Sequence, residues 1–146
     1  MATWFECKIK YDETLEDGKI KNLPHVYMVD ALTFSEAERR LLEEVQPFIS
    51  GDYVITDIKK AKIAELMTSN DGNDDCWYKA RVDFVELDEK TAVERKTTAT
   101  MLVQARDLNT AIQNHKKGMA GTMSDWNLVS MTETKILDVF PYEKKD

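Results

Sequence analysis

A chain of 146 residues, 42% hydrophobic and 32% charged, has room for one compact domain or two small joined halves and is too apolar for a disordered one. Its formal net charge of −7 argues against non-specific nucleic-acid binding, which draws its affinity from a basic surface, but leaves a local basic face open. No apolar run nears the roughly 20 residues that cross a bilayer, and MATWFECKIK lacks the basic start and apolar stretch of a secretory signal, so a cytoplasmic protein without membrane contact is expected.

The first predicted element is a strand over Thr3–Tyr11. Phe5, Cys7, Ile9 and Tyr11 alternate with Trp4, Glu6, Lys8 and Lys10, the period of a half-buried strand. DETLEDGK reads as a turn centred on Asp17-Gly18, and a second strand is expected over His25–Leu32. The spacing then becomes helical: Phe34, Ala37, Leu41 and Val45 share one side, Ser35 with Glu38 fits a capping box, and Pro47 is a stop. After a Ser50-Gly51 turn a third strand is expected over Asp52–Lys59, and MTSNDGNDD reads as a flexible surface connection.

The order then repeats. Tyr78, Ala80, Val82 and Phe84 alternate with Trp77, Lys79, Arg81 and Asp83; VELDEKTAVERK reads as a loop; a strand is expected over Thr98–Ala105. A helix capped by Asp107 or Asn109 carries Ala111, Ile112, His115 and Met119 and ends at Gly118 and Gly121, and a last strand is expected over Asp125–Met131. WFECKIKY and WYKARVDF echo one another 73 residues apart, as do Asp52, Tyr53 and Ile55 with Asp125, Trp126 and Leu128; Met28, Val29 and Ala37 match Leu102, Val103 and Ala111 at 74. Matches held at a fixed spacing point to duplication, although two β-rich halves sharing a hydrophobic period would look similar. The expectation is an α+β fold of two tandem ββαβ repeats about a pseudo-twofold axis in a single compact domain: a first repeat over 1–66, a linker over 67–76, and a second repeat over 77–146. ILDVFPY at its end is apolar enough to pack on the body or on a neighbouring subunit.

No spacing assembles a familiar reaction centre. His25 and His115 lie on different elements, with no His-x-x-x-His, Cys-x-x-Cys or Glu-x-x-His pattern, so no metal site or cofactor is expected. DGNDD falls short of a calcium loop and reads as a solvated linker. There is no G-x-S-x-G, and 5 glycines form no phosphate-cradling loop. Cys7 and Cys76 read as free thiols, Cys7 packed in a strand. His115 reads as a core histidine, and Glu43-Glu44 and Asp88-Glu89 as solvated faces. The chain is expected not to be an enzyme.

The outward sides of the two echoing strands remain. By parity Trp4, Lys8 and Lys10 share one face, and Trp77, Lys79 and Arg81 the corresponding one. Rings beside cations could stack a base and hold its phosphate. Against this, each Trp can pack under its own chain while the cations form salt bridges, and Glu6 and Asp83 share the same faces.

MATWFECKIKYD, YMVDALTFSEAE, PFISGDYVITDIKKAKIAEL and TETKILDVFPY together resemble an uncharacterised domain family of gut Bacteroidetes and their phages and mobile elements, over Trp4 to Tyr142. The resemblance implies a small cytoplasmic protein of phage or mobile-element origin and brings no catalytic residues. The preferred reading is a non-enzymatic interaction protein whose partner is another protein or a second copy of itself. The alternative is a binder of a nucleotide (a sequestered signalling nucleotide included) or of single-stranded nucleic acid through Trp4, Lys8, Lys10, Trp77, Lys79 and Arg81.

Overall fold

The two echoing stretches open two long antiparallel hairpins. In the computed structural model, which describes residues 3–49 and 51–141, β1 (Trp4–Thr14) pairs with β2 (Ile20–Asp30), and β5 (Cys76–Leu87) pairs with β6 (Glu94–Ala105). Both hairpins run further than the expected strands. The first closes through Leu15 and Lys19, with Gly18 at φ 83, a conformation that costs glycine little. In the second, half of the expected loop VELDEKTAVERK is strand, and 88–93 make the connection, with Ala92 at φ 55.

Each hairpin is followed by a helix and an edge strand. α1 (Phe34–Val45) presents Ala37, Leu41 and Val45 to the core, while Phe34, expected on that side, is half exposed and meets the Phe5 ring edge-on at 4.9 Å. Its cap is Thr33, not Ser35: the Thr33 hydroxyl accepts from the Glu36 amide at 3.1 Å, and Glu36 reaches back to accept from Leu32 N. Pro47 does end the helix, within a 3-10 turn over Gln46–Phe48. α2 (Leu108–Gly118) is capped by Asp107, which accepts from the Thr110 amide at 2.7 Å, and buries Ala111 and His115. β3 (Tyr53–Ala61) and β7 (Asp125–Glu133) pair antiparallel with β1 and β5. A bulge falls between Lys8 and Ile9 in the first pairing and between Arg81 and Val82 in the second. Gly51, at φ 104, turns the chain into β3; Ser50, its expected partner in that turn, lies outside the described residues.

Two short strands add to the expected elements. β4 (Glu65–Met67) pairs parallel with β6, and β8 (Ile136–Phe140) pairs parallel with β2. The result is a mixed α+β fold with two four-stranded sheets, ordered β3-β1-β2-β8 and β4-β6-β5-β7, and two helices. The chain divides into two compact units, not one, changing over at Lys62/Ile63 and again at Thr134/Lys135. The first unit holds β1–β3, α1 and β8; the second holds β4–β7 and α2. The units therefore do not follow 1–66 and 77–146: each completes its sheet with a strand from beyond those limits. ILDVFPY packs as strand β8, with Ile136 and Val139 buried; Tyr142 lies outside the described residues.

The first unit's core gathers Phe5, Cys7, Ile9, Tyr27, Val29 and Leu41 between sheet and helix. The second gathers Met67, Ala80, Val82, Met101, Val103 and Met119, with Trp126, Leu128 and Met131 packed against them. No helix among the described residues is long and apolar enough to cross a membrane.

Candidate functional site

Strand parity puts the six candidate residues where the sequence suggests, but two are closed off. Phe5, Cys7, Ile9 and Tyr11 face α1, so Trp4, Glu6, Lys8 and Lys10 take the opposite face of the first sheet. Trp77, Lys79 and Arg81 take the corresponding face of the second. Trp4 is only 5% exposed and Trp77 only 4%, so neither indole offers a ring face for a base to stack on. The Trp77 carbonyl also accepts from the Thr134 amide and hydroxyl, at 3.0 and 2.8 Å. Lys8, Lys10 and Arg81 are exposed and Lys79 is half-buried. Lys8 lies across from Asp57 and Val26, and Lys10 across from Val54 and Pro24. Lys79 and Arg81 are flanked by Thr132 and Ser130 on β7. No ion pair involves any of these four cations among the described residues. The salt bridge on this face joins Glu6 to Lys59 at 3.0 Å, and it raises the Lys59 ammonium pKa.

A second feature has no counterpart in the sequence reading. Where α1 gives way to the 3-10 turn, a groove of about 340 Å³ opens between helix and edge strand, lined by Leu42, Gln46, Ile49, Gly51 and Tyr53. β3 is the terminal strand of its sheet; Phe48 is well exposed in the 3-10 turn, and Val54 is well exposed on the other face of the same edge strand, level with Lys10. Further along β3 the chain is basic, with Lys59, Lys60 and, just beyond it, Lys62. Tyr53 pairs with Tyr11, whose hydroxyl meets that of Tyr27 at 3.1 Å and whose ring stacks on His25 at 4.5 Å. His25 in turn lies 3.6 Å from Glu13. Burial and the shared hydroxyl contact raise the Tyr27 pKa, so this phenol stays protonated and serves as packing with its hydroxyl paired to that of Tyr11.

The expected flexible connection is instead a tied knot. Asp74, 4% exposed, accepts from the Ser69 hydroxyl at 2.5 Å and from Asn114 at 3.4 Å, and lies 3.3 Å from Arg106 Nε. Arg106 also holds Asp71 at 3.0 Å, and Ser69 N donates to Gln104 at 2.9 Å. The Ser69 hydrogen bond, ahead of Asn114 and Arg106, holds the Asp74 carboxyl below the usual carboxylate range. These hydrogen bonds and ion pairs tie the segment to Gln104, Arg106 and Asn114, which explains its order despite Asn, Asp and Gly content. Burial pushes the Cys7 thiol up to about 12, and burial followed by the Asp75 contact raises that of Cys76, so neither is a ready thiolate. Among the described residues no three His, Cys, Asp or Glu side chains converge as a metal-ligand group.

The groove depends on the junction of α1 with β3, which a linear pattern does not specify; the run of exposed apolar residues Phe48, Tyr53 and Val54 was the available signal. A family model described as Domain of unknown function (DUF4494) matches residues 3–142. No curated protein and no solved structure matches the chain.

Proposed function

Because the chain belongs to this family of unknown function, which brings no activity to transfer, we propose from its own geometry that it is a non-enzymatic binding protein acting through protein–protein contacts. The observation that carries this is the groove lying along an open edge strand. An edge strand offers unpaired N–H and C=O groups to an added strand, and a neighbouring pocket selects one of its side chains. The occupant that fits is an extended segment of a partner protein. Its apolar residue enters the groove at Tyr53, and its acidic residues run toward Lys59 and Lys60.

The test is peptide display on the immobilised protein, with sedimentation run in parallel. Enriched peptides should place an aliphatic or aromatic residue beside acidic ones, and Val54→Lys should abolish their binding. Peptides whose binding ignores Val54→Lys, or no enrichment at all, would defeat the reading. Concentration-dependent association lost in Val54→Lys would identify the occupant as a second copy of this chain.

The same reading takes the two halves as copies of one ββαβ unit. Its support is the matched sheet orders and the bulges at positions 73 residues apart. A cytoplasmic setting and an origin in phages or mobile elements rest on the family resemblance. The alternative of nucleotide or single-strand binding draws support from the four cations without ion pairs among the described residues. It would have to proceed by charge without the two buried indoles. Lys79→Ala with Arg81→Ala should then weaken nucleotide binding, and a nucleotide panel that fails to bind the wild type removes it.

A further inference from the structure

The second unit buries an imidazole that nothing in the described structure satisfies. His115 is 0% exposed, and neither Nδ1 nor Nε2 has a hydrogen-bond partner. A buried polar group without a partner costs on the order of 1–3 kcal/mol and calls for an explanation. Burial lowers its pKa, which keeps the ring neutral and its lone pair free.

The core under the helix that carries His115 is soft. Three adjacent strands set Met131, Ala80 and Met101 in one cross-strand row on the face that α2 covers. Ala111, one turn before His115, has Met131 packed against its cluster; Met119, one turn after, shares a cluster with Met67 and Met101. Met67 is pressed so close to α2 that a Cβ on Gly118 would sit 2.6 Å from its sulfur. The Trp126 ring meets His115 edge-on at 5.3 Å. Four of the chain's seven methionines thus lie in the core packed under the helix that carries this neutral histidine.

We propose that His115, with the thioethers of Met101 and Met131 and completed by Met119 or Met67, forms a binding site for a soft monovalent cation of the Cu(I) class. Thioether sulfur and neutral imidazole prefer such ions, whereas magnesium and calcium require oxygen donors. The donor set is uncharged. A single positive charge is therefore the most this apolar interior can accept, since the desolvation cost rises steeply with charge. Methionine side chains are unbranched and rotate readily, so they can close on an ion without moving the strands. Spacing rules for metal sites look for His, Cys, Asp and Glu at short intervals; these donors come from three strands and from a helix with its C-cap, and escape them.

The experiment titrates Ag(I), a redox-silent stand-in, into the full chain carrying methyl-labelled methionine, with Cu(I) affinity measured by competition against a chromophoric chelator. The methyl resonances of Met101 and Met131, with those of Met119 or Met67, should shift at one equivalent, while Met28 and Met123 stay in place. His115→Leu should lower Cu(I) affinity at least tenfold, as should the pair Met101→Leu and Met131→Leu, which keeps the interior filled if the histidine variant folds poorly. Cys76→Ser should leave affinity unchanged. Shifts confined to Met28 or Met123, affinity indifferent to His115→Leu and to the methionine pair, or binding lost in Cys76→Ser would each overturn the assignment.

Discussion

Corresponding rows of the two units differ in kind. Beneath α1, Ile58, Cys7 and Tyr27 lie side by side on β3, β1 and β2; beneath α2, Met131, Ala80 and Met101 occupy the same places on β7, β5 and β6. The helices keep the pattern: Ala37, Leu41 and Val45 on one, Ala111, His115 and Met119 on the other. At the closing parallel strand, Phe140 beside Val29 corresponds to Met67 beside Val103. One framework thus supports a stiff core of rings and branched chains and a soft core of thioethers around a histidine. The first maximises packing, since branched and aromatic side chains hold few rotamers; the second forgoes some of it, since methionine adapts but specifies shape weakly.

Exchanging the two helix residues should expose that difference most strongly. Leu41→His removes a fully buried aliphatic side chain and leaves an imidazole among Phe5, Ile9 and Val29; the first unit should lose about 3–5 kcal/mol. His115→Leu removes an unsatisfied polar group and should stabilise the second unit by about 1 kcal/mol. Amide exchange resolved separately at α1 and α2 measures each. Equal costs in both directions would mean that His115 has a polar partner after all.

The histidine also gives the second unit its own response to acid. Its folded pKa lies below the unfolded value of 6.5, so the unfolded chain binds more protons as the pH drops past that value. Stability of α2 should be full above pH 6.5 and fall progressively below it. Cys76 and Tyr78, on the same face of β5, have raised pKa values and stay neutral throughout that window. His115→Leu should flatten the slope at α2. Whatever His25 contributes is present in both proteins and cancels in the difference.

The sequence was informative where a side chain's fate is decided within its own element. The alternation Phe5, Cys7, Ile9, Tyr11 and the helical spacing Ala37, Leu41, Val45 reflect faces pressed on a core, and both stand. The hairpins were read short because Asp12–Thr14, Ile20–Pro24 and Glu94–Thr97 extend past the core and bury no apolar stripe. β4 and β8 were missed because each is short and pairs parallel with a strand distant in sequence, so no local turn announces it. The parity of Trp4 and Trp77 was legible; their burial was not, since whatever covers a strand's second face is not written in that strand. His115 was legible as a core residue; its lack of a polar partner was not, nor were the methionines brought under its helix by β4, β6 and β7.

The smallest expected contrast lies at the helix starts. Thr33→Ala and Asp107→Ala each remove a side-chain acceptor from an amide in the first turn; the first should cost α1 about 1 kcal/mol, and the second should destabilise α2 at neutral pH. The two should part company in acid. The Thr33 hydroxyl does not titrate, so its contribution persists. Asp107 has its pKa lowered, first by the Thr110 amide hydrogen bond, so its contribution is present above the unfolded carboxyl value of 3.8 and is lost as the pH falls through the lower folded one. α2 also carries Lys116 and Lys117 in its last turn, whereas α1 carries no basic residue there; with Asp107 at its start, α2 is thus the helix whose ends both suit its dipole. Measured by amide exchange across pH 3 to 7, the cost of Asp107→Ala should shrink toward zero at the acid end while that of Thr33→Ala holds. A cost for Asp107→Ala that does not change with pH would mean that the carboxylate's charge contributes nothing to the cap.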